Sequence, residues 1–389
     1  MNSRLLSLLA SLLCLTSFAQ AGARFGKGEI NAQATFDITF TDRAVPSALG
    51  TSDTIYTFTP ALTFTQETSK LNASAHLSAP ISRYEDNDQL DSDSLSFGLS
   101  GDIPYGAGPK WSGSWNVSYF DGIRANYFTN SNLNMETLSA SISSNYQIGR
   151  KLGLRSGVSY SDRSSNGIAG SSFLNDNETT AVYAGVHARE LLGRIGAYVD
   201  YRIQDRKTDR GLINQGVDDR DDGINFGITG QILPERLFPK LEADLSFGYT
   251  STQTSESVNR DGGSDRLTLN GSLRYPANQK TNVALLFSRG LDVTDDDRTV
   301  ESSQATLSVD YTPRQRLAFV SSLGLSSNDF VYSENARNDD VLTFQVGARY
   351  SIRPNWTASA FYNLRESDSN VAISDYSSSQ LSLSTTLSY

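Results

Sequence analysis

From residue 30 to its last residue the chain alternates apolar and polar positions. Ile30, Ala32, Ala34, Phe36, Ile38 and Phe40 interleave with Asn31, Gln33, Thr35, Asp37 and Thr39. The same rhythm returns in Ile195, Ala197, Val199, Tyr201 and Ile203, in Leu241, Ala243, Leu245, Phe247 and Tyr249, and in Leu342, Phe344, Val346, Ala348 and Tyr350. Side chains two apart share a face of a strand, whereas a helix would need a stripe every three or four residues, and no such stripe competes. Each segment is about ten residues long, the length a tilted strand needs to cross a bilayer.

The segments predict eighteen strands, near residues 29–41, 55–66, 71–83, 94–105, 111–120, 136–148, 152–162, 179–190, 194–205, 223–233, 241–251, 266–275, 282–293, 302–312, 316–327, 340–352, 356–366 and 376–389. Their connectors are of two alternating kinds. Short ones carry turn residues or positive charge: 68–70, 106–110, 149–151, 193–194, 234–240, 276–280, 313–316 and 353–355. Long ones are polar and rich in aspartate, as at 84–88, 164–178, 218–222, 259–263 and 295–298. An even strand number, short turns at one end and long loops at the other describe an all-β fold, a transmembrane antiparallel up-and-down β-barrel with both termini in the periplasm. A soluble sandwich of this length would divide into domains and a solenoid would repeat with fixed glycine or asparagine positions; neither pattern is present.

Residues 1–21 read as a cleaved signal peptide. Arg4 precedes an apolar run from Leu5 to Leu15, and Ala19-Gln20-Ala21 supplies the small-x-small cleavage site before Gly22. The barrel then occupies 22–389. Cys14 lies in the apolar run behind Ser11-Leu12-Leu13, not behind a lipidation signal, and it is the one cysteine of the chain. The mature protein is therefore expected to use neither disulfides nor thiolate metal sites. Without Arg4 its net charge is −11, which disfavours nucleic acid as a partner.

A barrel of this size encloses water, so the polar phase should line a pore. On the predicted register its acidic candidates are Asp37, Asp102, Asp200, Glu242, Asp244 and Asp310. The basic candidates are Arg155, Arg189, Arg202, Arg266, Arg274, Arg349 and Arg365. Each would cost about 2–4 kcal/mol facing lipid at the midplane, so their shared phase supports the register. Cross-strand ion pairing on a hydrated wall accounts for them as readily as solute selection does. Tyr183, Tyr198 and Phe361 fall on the same phase, too few to define a sugar slide.

Catalysis finds little support. His76 and His187 are the only histidines and sit mid-strand in the polar phase, as hydrogen-bonded lumen residues would. No phosphate loop, zinc-ligand spacing or complete calcium loop occurs, so neither cofactor nor metal is expected. The final stretch, 379–389, ends on Tyr389 and resembles the terminal strand that the outer-membrane assembly machinery recognises.

The second half, from Gly227 onward, resembles the β-barrel porin 2 family found among exopolysaccharide export proteins. The resemblance rests on Phe247-Gly248-Tyr249-Thr250, on Leu269 to Tyr275 with the turn 276–281, on Leu285 to Arg289, and on 309–316. It implies a channel that passes an extracellular polysaccharide across the outer membrane, amid lipid and lipopolysaccharide, with periplasmic and inner-membrane export partners. The residues themselves imply only a polar-lined barrel. A diffusion porin for small hydrophilic solutes and a barrel acting through its surface loops are the other expectations.

Overall fold

The structure is a computed structural model that describes residues 23–103, 110–126, 130–167, 175–210, 217–232, 240–254, 264–293, 299–330 and 337–389. The segment read as a signal peptide lies outside the described residues, as do the loops at 259–263 and 295–298.

Eighteen antiparallel strands form one closed barrel. They are β1 (Gly28–Thr41), β2 (Asp53–Glu67), β3 (Asn72–Ser78, resuming as Ile81–Tyr84), β4 (Ser92–Asp93, resuming as Leu95–Ile103), β5 (Trp111–Asn126), β6 (Ser131–Gln147) and β7 (Leu152–Gly167). There follow β8 (Asn175–Leu192), β9 (Ile195–Arg210), β10 (Val217–Gly230), β11 (Glu242–Thr254), β12 (Ser264–Asn278) and β13 (Thr281–Val293). The last five are β14 (Thr299–Arg314), β15 (Leu317–Phe330), β16 (Arg337–Arg353), β17 (Trp356–Ser369) and β18 (Tyr376–Ser388). Every strand pairs with its neighbours in sequence, and β18 pairs with β1 from Gln33↔Ser388 to Thr41↔Gln380. The short strand Ala23–Phe25 continues along the edge of β1 below Tyr389.

Turn chemistry sets the register at the end where the termini lie. Four hairpins close on two residues, Gly193-Arg194, Gln279-Lys280, Gln315-Arg316 and Pro354-Asn355. Gly193 has φ +68°, a left-handed conformation that tight hairpins demand and glycine tolerates. The break in β3 falls at Ala79-Pro80, where proline cannot donate to the ladder.

Paired residues share a face, so the ladders divide every strand into two phases. One phase carries Ile142, Val158, Val182, Phe226 and Phe247 on the outside, between 44% and 60% exposed. Large apolar side chains so exposed all round a sheet would be unstable in water, and a bilayer satisfies them. Outward Trp111, Tyr146, Tyr311, Phe319, Tyr350 and Trp356 ring the turn end. Tyr119 and Tyr201 mark the loop end, where they donate to Glu136 at 2.9 Å and Asp222 at 3.0 Å. From Trp111 to Tyr119 the chain climbs about 20 Å along the barrel axis at about 3.3 Å per residue and ~40° tilt, close to the height of an apolar belt.

Several strands run past the lengths expected from sequence. β5 extends to Asn126, β7 to Gly167 and β9 to Arg210, and the acidic run 218–222 belongs to β10, not to a loop. Above the bilayer both faces of a strand meet water, so alternation fades while the backbone ladder continues.

Candidate channel interior

The inward wall is built from hydroxyls that satisfy one another across the ladder. Thr35 meets Thr386 at 3.0 Å, Thr39 meets Ser382 at 3.0 Å, Thr57 meets Ser82 at 3.0 Å, Ser74 meets Ser100 at 2.6 Å and Ser114 meets Ser143 at 2.7 Å. Such a wall is polar without exposing unpaired charge.

The pairing register puts twelve of the thirteen charged candidates on this same phase; Arg189 falls in the irregularity between Ala188 and Leu192, outside the paired register. Arg155, Asp200, Arg202, Arg266 and Arg365 come together around one cavity of about 940 Å³. The others are spread along the wall. Asp37 lies opposite Ser384, Glu242 opposite Arg274, Asp310 opposite Asn282, and Arg349 opposite Ser359. Asp102 accepts from Asn72 Nδ2 at 3.1 Å, Asp244 is reached by the Tyr198 hydroxyl at 3.3 Å, and Arg189 sits at the turn end of β8.

Within the cavity the inward aromatic rings lie flat because glycine faces them. A Cβ at Gly157 would fall 2.4 Å from the Tyr183 ring, and one at Gly227 would fall 2.0 Å from Tyr198. Each ring occupies the space that a side chain on the neighbouring strand would fill. The Arg155 guanidinium packs over Tyr198 at 4.3 Å and Tyr183 at 5.5 Å, and its Nε stands 3.2 Å from Asp200 Oδ1. That pair is a charge contact without a directed hydrogen bond, since Oδ1 lacks a hydrogen-bond donor. His187 rests over Gly153, and neither ring nitrogen has a hydrogen-bond partner among the described residues, contrary to the expectation of a hydrogen-bonded lumen histidine.

Segment 42–52, between β1 and β2, folds into the lumen. Arg43, Ala44 and Pro46 share a cavity of about 350 Å³ with Ala125 of β5 and the inward Ser322, Gln345, Asn363 and Gln380. Arg43 holds the segment: Nε donates to Ser377 O at 2.6 Å, and Nη1 to the carbonyls of Ser47, Ala48 and Gly50 at 3.0, 2.8 and 3.3 Å. From the other side Asn132 Nδ2 donates to Ala44 O at 3.0 Å, and Asn130 Nδ2 to Ser374 Oγ at 2.8 Å. Asn132 of β6 thus meets the segment and Asn130 meets Ser374 of the β17–β18 connection, while Ala125 and Arg365 line both cavities. Inward Leu133, Met135, Val300, Phe330 and Val341 are buried at this end of the lumen. Met135 and Val341 line the larger cavity, so some of the buried apolar side chains face the lumen and not the lipid.

The larger cavity also takes Arg124, Arg163 and Asp221, which the sequence reading did not single out. They sit on strand extensions beyond the bilayer, where the expected strands had already ended. Counting inward parity past the last apolar residue would have found them.

Among solved structures, the chain is similar to Pseudomonas aeruginosa OpdK, crystallised with vanillate: 11% identity, TM-score 0.47, 92% of this chain and 99% of that one covered. A mutant ferric enterobactin receptor, PfeA, from Pseudomonas aeruginosa gives 9% identity and TM-score 0.48, over 95% and 81% of the two chains. The alcaligin receptor FauA of Bordetella pertussis gives 11% and 0.44, over 94% and 77%. No curated protein matches. Residues 16–389 match the family described as "Putative beta-barrel porin 2", and the chain belongs to it, a porin-like β-barrel of the Gram-negative outer membrane.

Proposed function

We propose that the barrel is a passive channel for small hydrophilic solutes. The observation that carries this reading is segment 42–52 lying in the lumen between the β15–β18 wall and Asn132 of β6. A hydroxyl-lined wall exchanges hydrogen bonds with a hydrated solute, and a segment folded into the lumen narrows the route to what fits beside it. In this reading lipid and lipopolysaccharide cover the apolar belt, and the assembly machinery engages the strand ending at Tyr389. The twelve charged candidates on the inward phase then line the solute path.

Purified protein in planar bilayers should give steady conductance, and proteoliposomes should swell faster in arabinose than in raffinose. Absence of both refutes the reading.

The family resemblance supports a second cargo, an extracellular polysaccharide delivered by periplasmic export partners. Tyr183 and Tyr198, flattened against the wall, would offer sugar rings a face. A deletion strain that secretes normal amounts of polymer excludes that cargo.

A further inference from the structure

The sign of the charge inside the larger cavity is opposite to that of the chain. The protein carries a net charge of −10, yet seven arginines and three aspartates line this cavity, with no lysine or glutamate among them. Arg289 stands on the outward phase of β13 and shares Glu301 with the inward Arg266: its Nε donates to Glu301 at 2.9 Å and Arg266 Nη1 does so at 3.2 Å. Six inward arginines remain, Arg124, Arg155, Arg163, Arg202, Arg266 and Arg365, against Asp200, Asp221 and Asp339.

The aspartates are already engaged. Asp200 meets Arg155, Asp221 accepts from the Thr252 hydroxyl at 2.7 Å, and Asp339 is held by Arg337 and by Ser369. Two of the arginines have no carboxylate within ion-pairing distance among the described residues. Arg202 donates to Gln204 Oε1 at 2.8 Å, a neutral partner. Arg124 stacks over Phe120 at 3.6 Å, which orients the guanidinium and leaves its N–H fork open. The two stand on β9 and β5, on different walls of one enclosed space.

From this geometry we infer that the channel selects small anionic solutes bearing an oxyanion, a carboxylate or phosphate, which the cavity arginines pass between them. This rests on the passive-channel reading and names its substrate class. Guanidinium forks match both oxyanions, and a cavity of one sign walled by protein concentrates counter-ions.

The test is the reversal potential of the purified protein in a planar bilayer under a potassium chloride gradient. The expected anion-to-cation permeability ratio is about ten, the low end of what single-sign clefts achieve. Arg124→Glu with Arg202→Glu moves four charges, more than the excess of three, and should bring the ratio to one or below. Retained heat-modifiable gel mobility shows that the variant is folded; if it is not, Arg124→Gln with Arg202→Gln should lower the ratio in the same direction. Added citrate and inorganic phosphate, tested separately as blockers of the chloride current, tell which oxyanion is preferred. Steady conductance with a cation-selective or zero reversal potential overturns the inference alone. No conductance in any salt overturns the channel reading with it.

Discussion

Arg43 anchors the lumen segment with one side chain, so Arg43→Ala should release it. The guanidinium spans four carbonyl acceptors, but Nη1 has two hydrogens for three of them, which leaves three effective bonds. At the low end for charged donors, roughly 1.5 kcal/mol each, the set amounts to about 4.5 kcal/mol. The acceptors are only partly buried and regain water on release, so about 2–4 kcal/mol is the expected loss. At ~1.4 kcal/mol per decade that shifts the docked-to-undocked equilibrium by about 30-fold to about 1000-fold. Single-channel recording in planar bilayers reads the change: Arg43→Ala should show longer and more frequent high-conductance openings, and Arg43→Lys, with no fork, should fall between. A disulfide from Ala44→Cys to Asn132→Cys, placed where Asn132 now bonds Ala44, should hold the low-conductance state until reductant is added. Unchanged openings in Arg43→Ala, together with unchanged protease resistance of residues 42–52, would refute the docking argument.

On β7, Val158→Arg places a charge in the lipid belt and should destabilise the barrel by about 2–4 kcal/mol in urea titrations from liposomes, while Ser159→Arg on the lumen face should change stability little. Equal effects would mean that the phases are misassigned. Gly227→Leu removes the space beneath Tyr198, so the ring must swing into the lumen, and conductance should fall even if the thermal midpoint moves little. Intact mass spectrometry of protein purified from the outer membrane should give a chain beginning at Gly22; a mass that includes residues 1–21 counts against cleavage.

The barrel was legible in the sequence because lipid on one side and water on the other impose alternation, and turn residues such as Gly193 and Pro354 punctuate it. For the same reason the inward phase of Asp200, Arg202 and Arg266 could be read directly. Segment 42–52 could not. Asp42-Arg43-Ala44-Val45-Pro46 carries no period, and the acceptors that dock it are main-chain carbonyls, which every sequence possesses. The run Asp218-Asp219-Arg220-Asp221-Asp222 read as a loop for the opposite reason: above the bilayer a strand has water on both faces and need not alternate. Gathering Arg124 with Arg202 takes the third dimension, since β5 and β9 are separated by three strands round the wall.

The seam between β1 and β18 pairs nine residues, whereas β6 and β7 pair fifteen. Because it joins the two ends of the chain, this ladder can form only after the whole polypeptide has been delivered, and its loop-closure entropy is the largest in the molecule. Closing the ring at this ladder therefore costs more chain entropy than forming any of the hairpins. Ala23–Phe25 adds three more pairs to the edge of β1 beyond the reach of β18. These three residues thus lengthen the clasp of the ring, and trimming them should slow its closure more than it weakens the finished wall.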